Sequence, residues 1–407
     1  MRRNPSYDNI ALVKIIRNGT ITSPQGFLAG AAAAGIKYEG RLDLGILYSE
    51  RPCAVAGRFT KNRIKAAPVQ WCQDRVASGK AQAVIVNAGC ANACTGAQGM
   101  KDARAMAQAA AMKLDIPDDS VLVASTGVIG VKLPVDKIEA GAMQMKLSAK
   151  GGHELAHAIM TTDTRPKEIA VACEEYGFTV AGIAKGAGMI HPDMATMLSF
   201  LTTDAKIDAR LLDSFLGEAV DASLNMITVD GDTSTNDTAL ILANGAGGAV
   251  KAGTKAEKAF AEALSKVCIY LARSIATDGE GATRLIEVTV DGAKSLADAR
   301  IAARTIVGSP LVKSAVHGCD PNWGRIIAAL GRSGAGFNPK KVDLYLANMQ
   351  LMSAGEPVPF NKKTVSAAMG KDEVKVRVAL NGGKHSATAW GCDLTAEYVA
   401  INSEYTT

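Results

Sequence analysis

The chain has 407 residues, 48% apolar and 21% charged, which is more than one compact core needs and enough for two or three domains. Its net charge of +5 is spread without a Lys/Arg block, and only 5% of residues are aromatic. That excludes both a sequence-independent grip on phosphates and a base-stacking platform, so no nucleic-acid partner is expected. The longest apolar runs, 28–36 and 238–250, are Gly/Ala-rich and too short or polar to span a bilayer. The apolar stretch 10–16 is broken by Lys14 with no cleavage site after it, so no signal peptide is expected. The eight cysteines show no framework spacing, which points to reduced thiols and a cytoplasmic location.

Glycine clusters beside apolar runs point to an α/β enzyme with tight strand-to-helix turns. Residues 10–80 alternate apolar and polar segments with turn signals at Asn18-Gly19 and Pro24-Gln25-Gly26, predicting several strands. Residues 83–87 read as a buried strand leading into a turn at Ala88-Gly89-Cys90. A helix follows over 101–114, ended by Pro117-Asp118-Asp119. Residues 121–124 form another buried strand, with Ser125-Thr126-Gly127 as its exit turn. Helices are expected at 135–147, opened by Pro134, and at 153–160. A strand over 179–183 gives way to a glycine loop, 185–188, and then to a strand over 196–201. Helices at 210–224 and 255–277 flank a strand at 239–242. After about residue 284 shorter strands (285–290, 342–346, 374–378) surround one helical stretch, which places a domain boundary there.

Four motifs resemble functional sites without completing them. His153-Glu154-Leu155-Ala156-His157 has zinc-protease spacing, but the next histidine downstream is His191 in a Gly/Pro loop, so no metal is expected. Cys90 and Cys94 are spaced CxxxC among Ala and Gly, and read as small core residues. The string 182–188 lacks the order of a phosphate loop, because Lys185 precedes its glycine and no Ser/Thr follows. The Asp230-Gly231-Asp232-Thr233 string lacks the glycine and terminal glutamate of a calcium loop.

The segment 185–204 is different in kind: a flexible Gly/Pro loop runs into an apolar strand that begins with a threonine. Breaking the bond between Ala195 and Thr196 would make Thr196 an N-terminus at the edge of a sheet. A threonine hydroxyl needs an adjacent base to act as a nucleophile. An N-terminal threonine carries one, since an α-amine titrates near roughly 7.7–8.0. The same hydroxyl can attack the Ala195 carbonyl, moving the acyl group from N to O before hydrolysis. By itself the segment also fits a buried threonine at the start of a strand.

The string Gly-Met-Ile-His-Pro-Asp-Met-Ala-Thr-Met-Leu (188–198), with Leu-Thr-Thr-Asp-Ala (201–205), closely resembles the signature of the ornithine acetyltransferase family. Similar strings occur along nearly the whole chain, at 59–69, 92–96, 160–164, 228–237, 278–283, 320–325 and 398–407. Two positions depart from the usual pattern: Asp193 and Cys90 each stand where the family commonly has Asn.

The resemblance implies an α/β fold, a layered αββα sandwich of the self-processing N-terminal-nucleophile type with a second, smaller α/β domain. The catalytic domain would be 1–283 and the smaller one 284–407, its tail returning to the active site. It implies autoproteolysis at Ala195–Thr196, with Thr196 then taking the acetyl group of N-acetylornithine as an ester and passing it to glutamate. Thr126 and Gly127 would stabilise the oxyanion. Thr162, Lys185, Thr196, Glu280, Asn402 and Thr407 would bind the substrates. It implies no cofactor, with acetyl-CoA open as a second donor, and two α and two β chains made from one precursor. One alternative is a self-processing aminopeptidase or amidase, in which water takes the acyl group. Another is an amino-acid-binding protein that never cleaves.

Overall fold

The computed structural model describes residues 13–37, 39–191 and 197–404. In chain order the strands are β1 (Lys14–Ile15), β2 (Phe27–Ala32), β3 (Leu44–Phe59), β4 (Lys80–Cys90) and β5 (Val121–Val128). Next come β6 (Lys167–Cys173), β7 (Phe178–Lys185), β8 (Leu198–Thr203), β9 (Ile227–Thr228) and β10 (Thr238–Ala243). The remainder holds β11 (Leu285–Ala293), β12 (Asp343–Leu346), β13 (Met349–Ser353), β14 (Glu356–Pro357), β15 (Glu373–Ala379) and β16 (His385–Cys392). The helices are α1 (Ala67–Val76), α2 (Gly96–Leu114), α3 (Val135–Gln144), α4 (Gly152–Ala158), α5 (Ala209–Ala222) and α6 (Lys255–Thr277). After them come α7 (Leu296–Val307), α8 (Pro310–His317), α9 (Trp323–Gly331), α10 (Lys362–Met369) and α11 (Ala396–Glu404).

Among the described residues, nine strands form one sheet in the order β1-β6-β7-β8-β10-β3-β4-β5, with β2 also paired to β3. The pairs β8/β10 and β4/β5 are parallel and the others antiparallel. Both faces of this sheet are covered, so its strands are apolar throughout and the period of two sorts the side chains. In β10, Ala239 and Ile241 enter the core shared with α5 and α6, whereas Leu240 and Leu242 enter the core shared with α1 to α4.

The second sheet runs β14-β13-β12-β15-β11-β16-β9. Ile286, Val288 and Val290 of β11 join the core that holds α6 and α7, while Glu287, Thr289 and Asp291 alternate with them and stay partly exposed. The chain is α/β, with layered sheets and helices, as expected. Among the described residues no helix is long and apolar enough to cross a membrane.

Two local readings need correction. Residues 88–90 and 125–127 are not turns: β4 and β5 continue through them, side by side. Glycine ordinarily ends a strand, but here Gly89 and Gly127 let the paired strands approach closely through a register irregularity. Among the described residues beyond 284 there are five helices where one helical stretch was expected. Four of them have only eight or nine residues, too short to give a clear helical period.

Helix α6 carries the fold to the site. The Thr254 hydroxyl accepts the Glu257 amide (3.3 Å), and the Glu257 carboxylate accepts the Gly253 amide (2.7 Å), closing the first turn. Its buried face repeats as Ala259/Phe260, Ala263/Leu264, Val267/Cys268 and Leu271/Ala272. Past its last turn the chain delivers Asp278 and Glu280, both buried.

Candidate active site

One cavity is lined by the irregular pairing of β4 and β5. Gly89 pairs with Gly127, and the register slips at Cys90. Gly127 has φ +129°, and a Cβ on it would stand 2.3 Å from the Gly89 carbonyl carbon, so no other residue fits. Thr126, beside it, accepts a hydrogen bond from Lys185 Nζ at 3.2 Å. Lys185 was read as opening a loop; it is instead the last residue of β7 and is buried. Burial pushes its pKa below the usual lysine value, and the nearby Asp163 carboxylate opposes that shift.

The wall of the cavity rests on a buried ion cluster. Lys167 Nζ lies 2.6 Å from Asp163 Oδ1 and 2.5 Å from Asp278 Oδ2. Asp163 Oδ1 also accepts the Gly186 amide (2.6 Å), and Oδ2 accepts the Thr161 amide (3.0 Å). Asp278 accepts the Thr164 amide (3.1 Å) and its hydroxyl. Burial alone would raise the Asp163 pKa, but Lys167, Lys185 and the Gly186 amide hold it below the ordinary carboxylate value. One cluster thus ties the 160–164 loop carrying Thr162, the loop after Lys185, and the segment carrying Glu280.

Glu280 closes the far side. Asn402 Nδ2 on α11 donates to Glu280 Oε2 at 2.9 Å. A Cβ on Gly188 would come within 2.4 Å of the Glu280 carboxylate, so the glycine lets the loop lie against it. The next turn is fixed by Asp230, which accepts the amides of Met189 (2.6 Å) and Ile190 (2.8 Å). The Asp230-Gly231-Asp232 string therefore pins a loop. Burial raises the Asp230 pKa.

Of the residues expected in the site, Thr126, Gly127, Thr162, Lys185, Glu280 and Asn402 line this single cavity. Thr196, Ala195 and Thr407, with Asp193, lie outside the described residues. Met197, which follows Thr196 in sequence, lines the same cavity.

A sequence profile described as the ArgJ family matches residues 28–407. The chain belongs to the ArgJ family. It is 53% identical over 401 residues to the arginine biosynthesis bifunctional protein ArgJ of Dehalococcoides mccartyi, covering 97% of this chain and 99% of that one. It is 54% identical over 397 residues to the protein of the same name from Symbiobacterium thermophilum, covering 96% and 99%. A crystal structure of arginine biosynthesis bifunctional protein ArgJ from Bacillus halodurans is 44% identical, with a TM-score of 0.50, and covers 52% of this chain and 100% of that chain.

Other features of this ArgJ-family chain were not legible as site residues. Asp163 and Lys167 stand four apart, the spacing of an ion pair, but Asp278 joins them from 111 residues away. Arg41, Asn236 and Asp237 also line the cavity. Asn236 donates to the carbonyls of Ala91 (2.6 Å) and Ser125 (2.8 Å), stitching the ends of β4 and β5 to the 233–237 segment. The two histidines of the zinc-like string lie outside the cavity. His153 Nδ1 contacts the Glu168 carboxylate, and His157 Nε2 is 3.3 Å from His153 Nε2. Among the described residues no group of three possible metal ligands gathers. Cys90 is buried as read, but Cys94 is exposed with φ +58°, because it sits in the turn that opens α2.

Proposed function

We propose that this ArgJ-family chain is a glutamate N-acetyltransferase that moves the acetyl group of N-acetylornithine to glutamate through an acetyl-threonine at Thr196. Family membership makes it an acetyltransferase of arginine biosynthesis. The observation that carries the finer reading is the convergence of Thr126, Gly127, Thr162, Lys185, Glu280 and Asn402, from separate parts of the chain, on one cavity with Met197 in its wall.

In this reading the Ala195–Thr196 bond is cut first, giving an α chain of 1–195 and a β chain of 196–407. A β chain of that length is 52% of the sequence, the share that the Bacillus halodurans chain spans in full. The freed α-amine takes the Thr196 hydroxyl proton as Oγ attacks the acetyl carbonyl. The tetrahedral oxyanion is stabilised at Thr126–Gly127, where preorganised donors act in a water-poor site. The C–N bond then breaks, the departing amine takes the proton, and ornithine leaves. The α-amine of glutamate attacks the ester, Thr196 regains its proton, and N-acetylglutamate is released. Acetyl-CoA as a second donor, assembly as two α and two β chains, and a cytoplasmic location belong to the same reading.

The test incubates purified protein with N-acetylornithine and isotope-labelled glutamate, without coenzyme A. Labelled N-acetylglutamate is expected from the wild type, with Thr196→Ala uncut and inactive. Acetate in its place would make the protein a hydrolase; no turnover by a properly cut protein would overturn the substrate assignment.

A further inference from the structure

Besides Lys185, two cations, Lys37 and Arg41, line the cavity. Arg41 precedes β3, lines the cavity and is half-buried. Its Nη2 donates to the carbonyls of Met160 (2.9 Å) and Thr161 (2.8 Å). Among the described residues it has no carboxylate within ion-pair distance. Asp43, in the same wall, turns its two oxygens to the amides of Ala34 (2.7 Å) and Ile36 (2.6 Å). A guanidinium carries five N–H donors in a rigid plane; with Nη2 taken by the two carbonyls, three remain on a side chain that lines the cavity, a fork suited to a planar, bidentate acceptor such as a carboxylate.

The two substrates define what such a fork is for. Acetylornithine and glutamate each carry an α-carboxylate on the carbon that bears the reacting nitrogen. That group sits at a fixed distance from the reacting nitrogen, and Lys185, bonded to Thr126 of the expected oxyanion site, is the cation suited to it. The substrates differ at the far end of the side chain, which is an ammonium in the donor and a carboxylate in the acceptor. A site that binds them in turn needs an anion and a second cation there. Glu280, steadied by Asn402, supplies the anion.

We propose that Arg41 is the specificity-determining contact for the acceptor: its guanidinium receives the side-chain carboxylate of glutamate, while Glu280 receives the side-chain ammonium of the donor in the same cavity. The inference rests on the glutamate acetyltransferase reading. It also gives Arg41 a reason to be braced by the Met160 and Thr161 carbonyls, which place it beside the loop that carries Thr162.

The test separates the half-reactions. Ornithine release measures acetylation of the enzyme; transfer to glutamate or to glutamine, which has the same length without the charge, measures acceptor choice. Arg41→Gln is expected to raise the KM for glutamate by roughly tenfold or more, the effect of losing one charge-assisted pair. The KM for N-acetylornithine and kcat/KM with glutamine are expected to stay within about twofold, so that the preference for glutamate over glutamine collapses. Arg41→Lys, which keeps the charge and the fold but not the fork, is expected to fall between the two. An equal rise in the KM for donor and acceptor would overturn the proposal, reducing Arg41 to a brace for the 160–162 loop. So would an unchanged glutamate KM, or a selective loss in Lys37→Met, a second cation of the same wall, with Arg41→Gln unaffected. If the wild type acetylates neither glutamate nor glutamine, the function reading itself fails, and that outcome is visible before any variant is made.

Discussion

The Glu280 carboxylate lies against the backbone of Gly188, 2.4 Å from where a Cβ on that residue would begin. Its Oε2 accepts from Asn402, on a helix with no buried residue among those described. Glycine at 188 is therefore required by contact with an acid that lies 92 positions away in the sequence. Gly188→Ala is expected to displace that carboxylate, slowing donor turnover by roughly tenfold to a hundredfold, as small misplacements in a site do. The strain should cost about 1–3 kcal/mol in stability. Steady-state kinetics with N-acetylornithine, beside a thermal melt, checks both; full activity in the variant would remove Glu280 from the site.

The buried cluster of Lys167, Asp163 and Asp278 predicts a second outcome. Removing one partner leaves an uncompensated buried charge, so Lys167→Met and Asp163→Asn should each destabilise the protein by about 3–5 kcal/mol. The acid side carries a separate signature. The Asp163 pKa lies below its ordinary value of 3.8, so its contribution to stability is complete above that value and is lost as the pH falls through the lower, folded one. Thermal melts from pH 7 to pH 3 should show a drop at the acid end in the wild type that is shallower in Asp163→Asn.

These two relationships mark where the sequence stops being readable. The α6 helix was legible to its ends, since its Thr254-x-x-Glu257 box and its apolar period are both local. The β10 strand was legible as an apolar run, but which of its side chains enter which core was not, because every position of the run is apolar. The close approach of β4 and β5 was not, because a glycine that breaks a strand and one that lets two paired strands come close look alike until the partner strand is placed. The expected residues that line the cavity came from a family signature, not from local chemistry. Those that were missed, Asp163, Lys167, Asp278 and Arg41, work through partners more than 100 residues away, through cluster geometry, or through a facing cavity.

Lys185 is expected to separate stability from function. Its pKa is lowered by burial, so between that lowered value and its ordinary 10.5 the unfolded chain binds more protons and stability rises with pH. Keeping the ammonium charged is thus a cost that folding bears for the site. Lys185→Met should melt no lower than the wild type at pH 7, yet lose about a hundredfold or more in kcat/KM. With Lys185 as the proposed partner of the substrates' α-carboxylate, the wild-type KM for both substrates should climb on the alkaline side at a pH below the ordinary lysine value, as the ammonium is lost. A Lys185→Met protein that keeps its activity would exclude any contact of that ammonium with substrate.

Tyr398 links α11 to the loop that leads towards the expected cleavage bond. Its hydroxyl lies beside the Asp230 carboxylate, and burial, with the charges of Asp230 and Glu280, pushes its pKa up to about 12. Asp230 in turn holds the amides of Met189 and Ile190, and Met189 has a φ of +56°, a conformation that needs such support. The two halves of this link should come apart under mutation. Tyr398→Phe removes only the tie to α11, so cleavage at Ala195–Thr196 should go to completion while Asn402 loosens and the KM for N-acetylornithine rises a few-fold. Asp230→Asn weakens the anchor of the Met189 turn, so uncut precursor should accumulate on a denaturing gel before any kinetic effect is measured. Uncut precursor in Tyr398→Phe, with normal processing in Asp230→Asn, would mean that α11 and not the 188–190 turn governs processing.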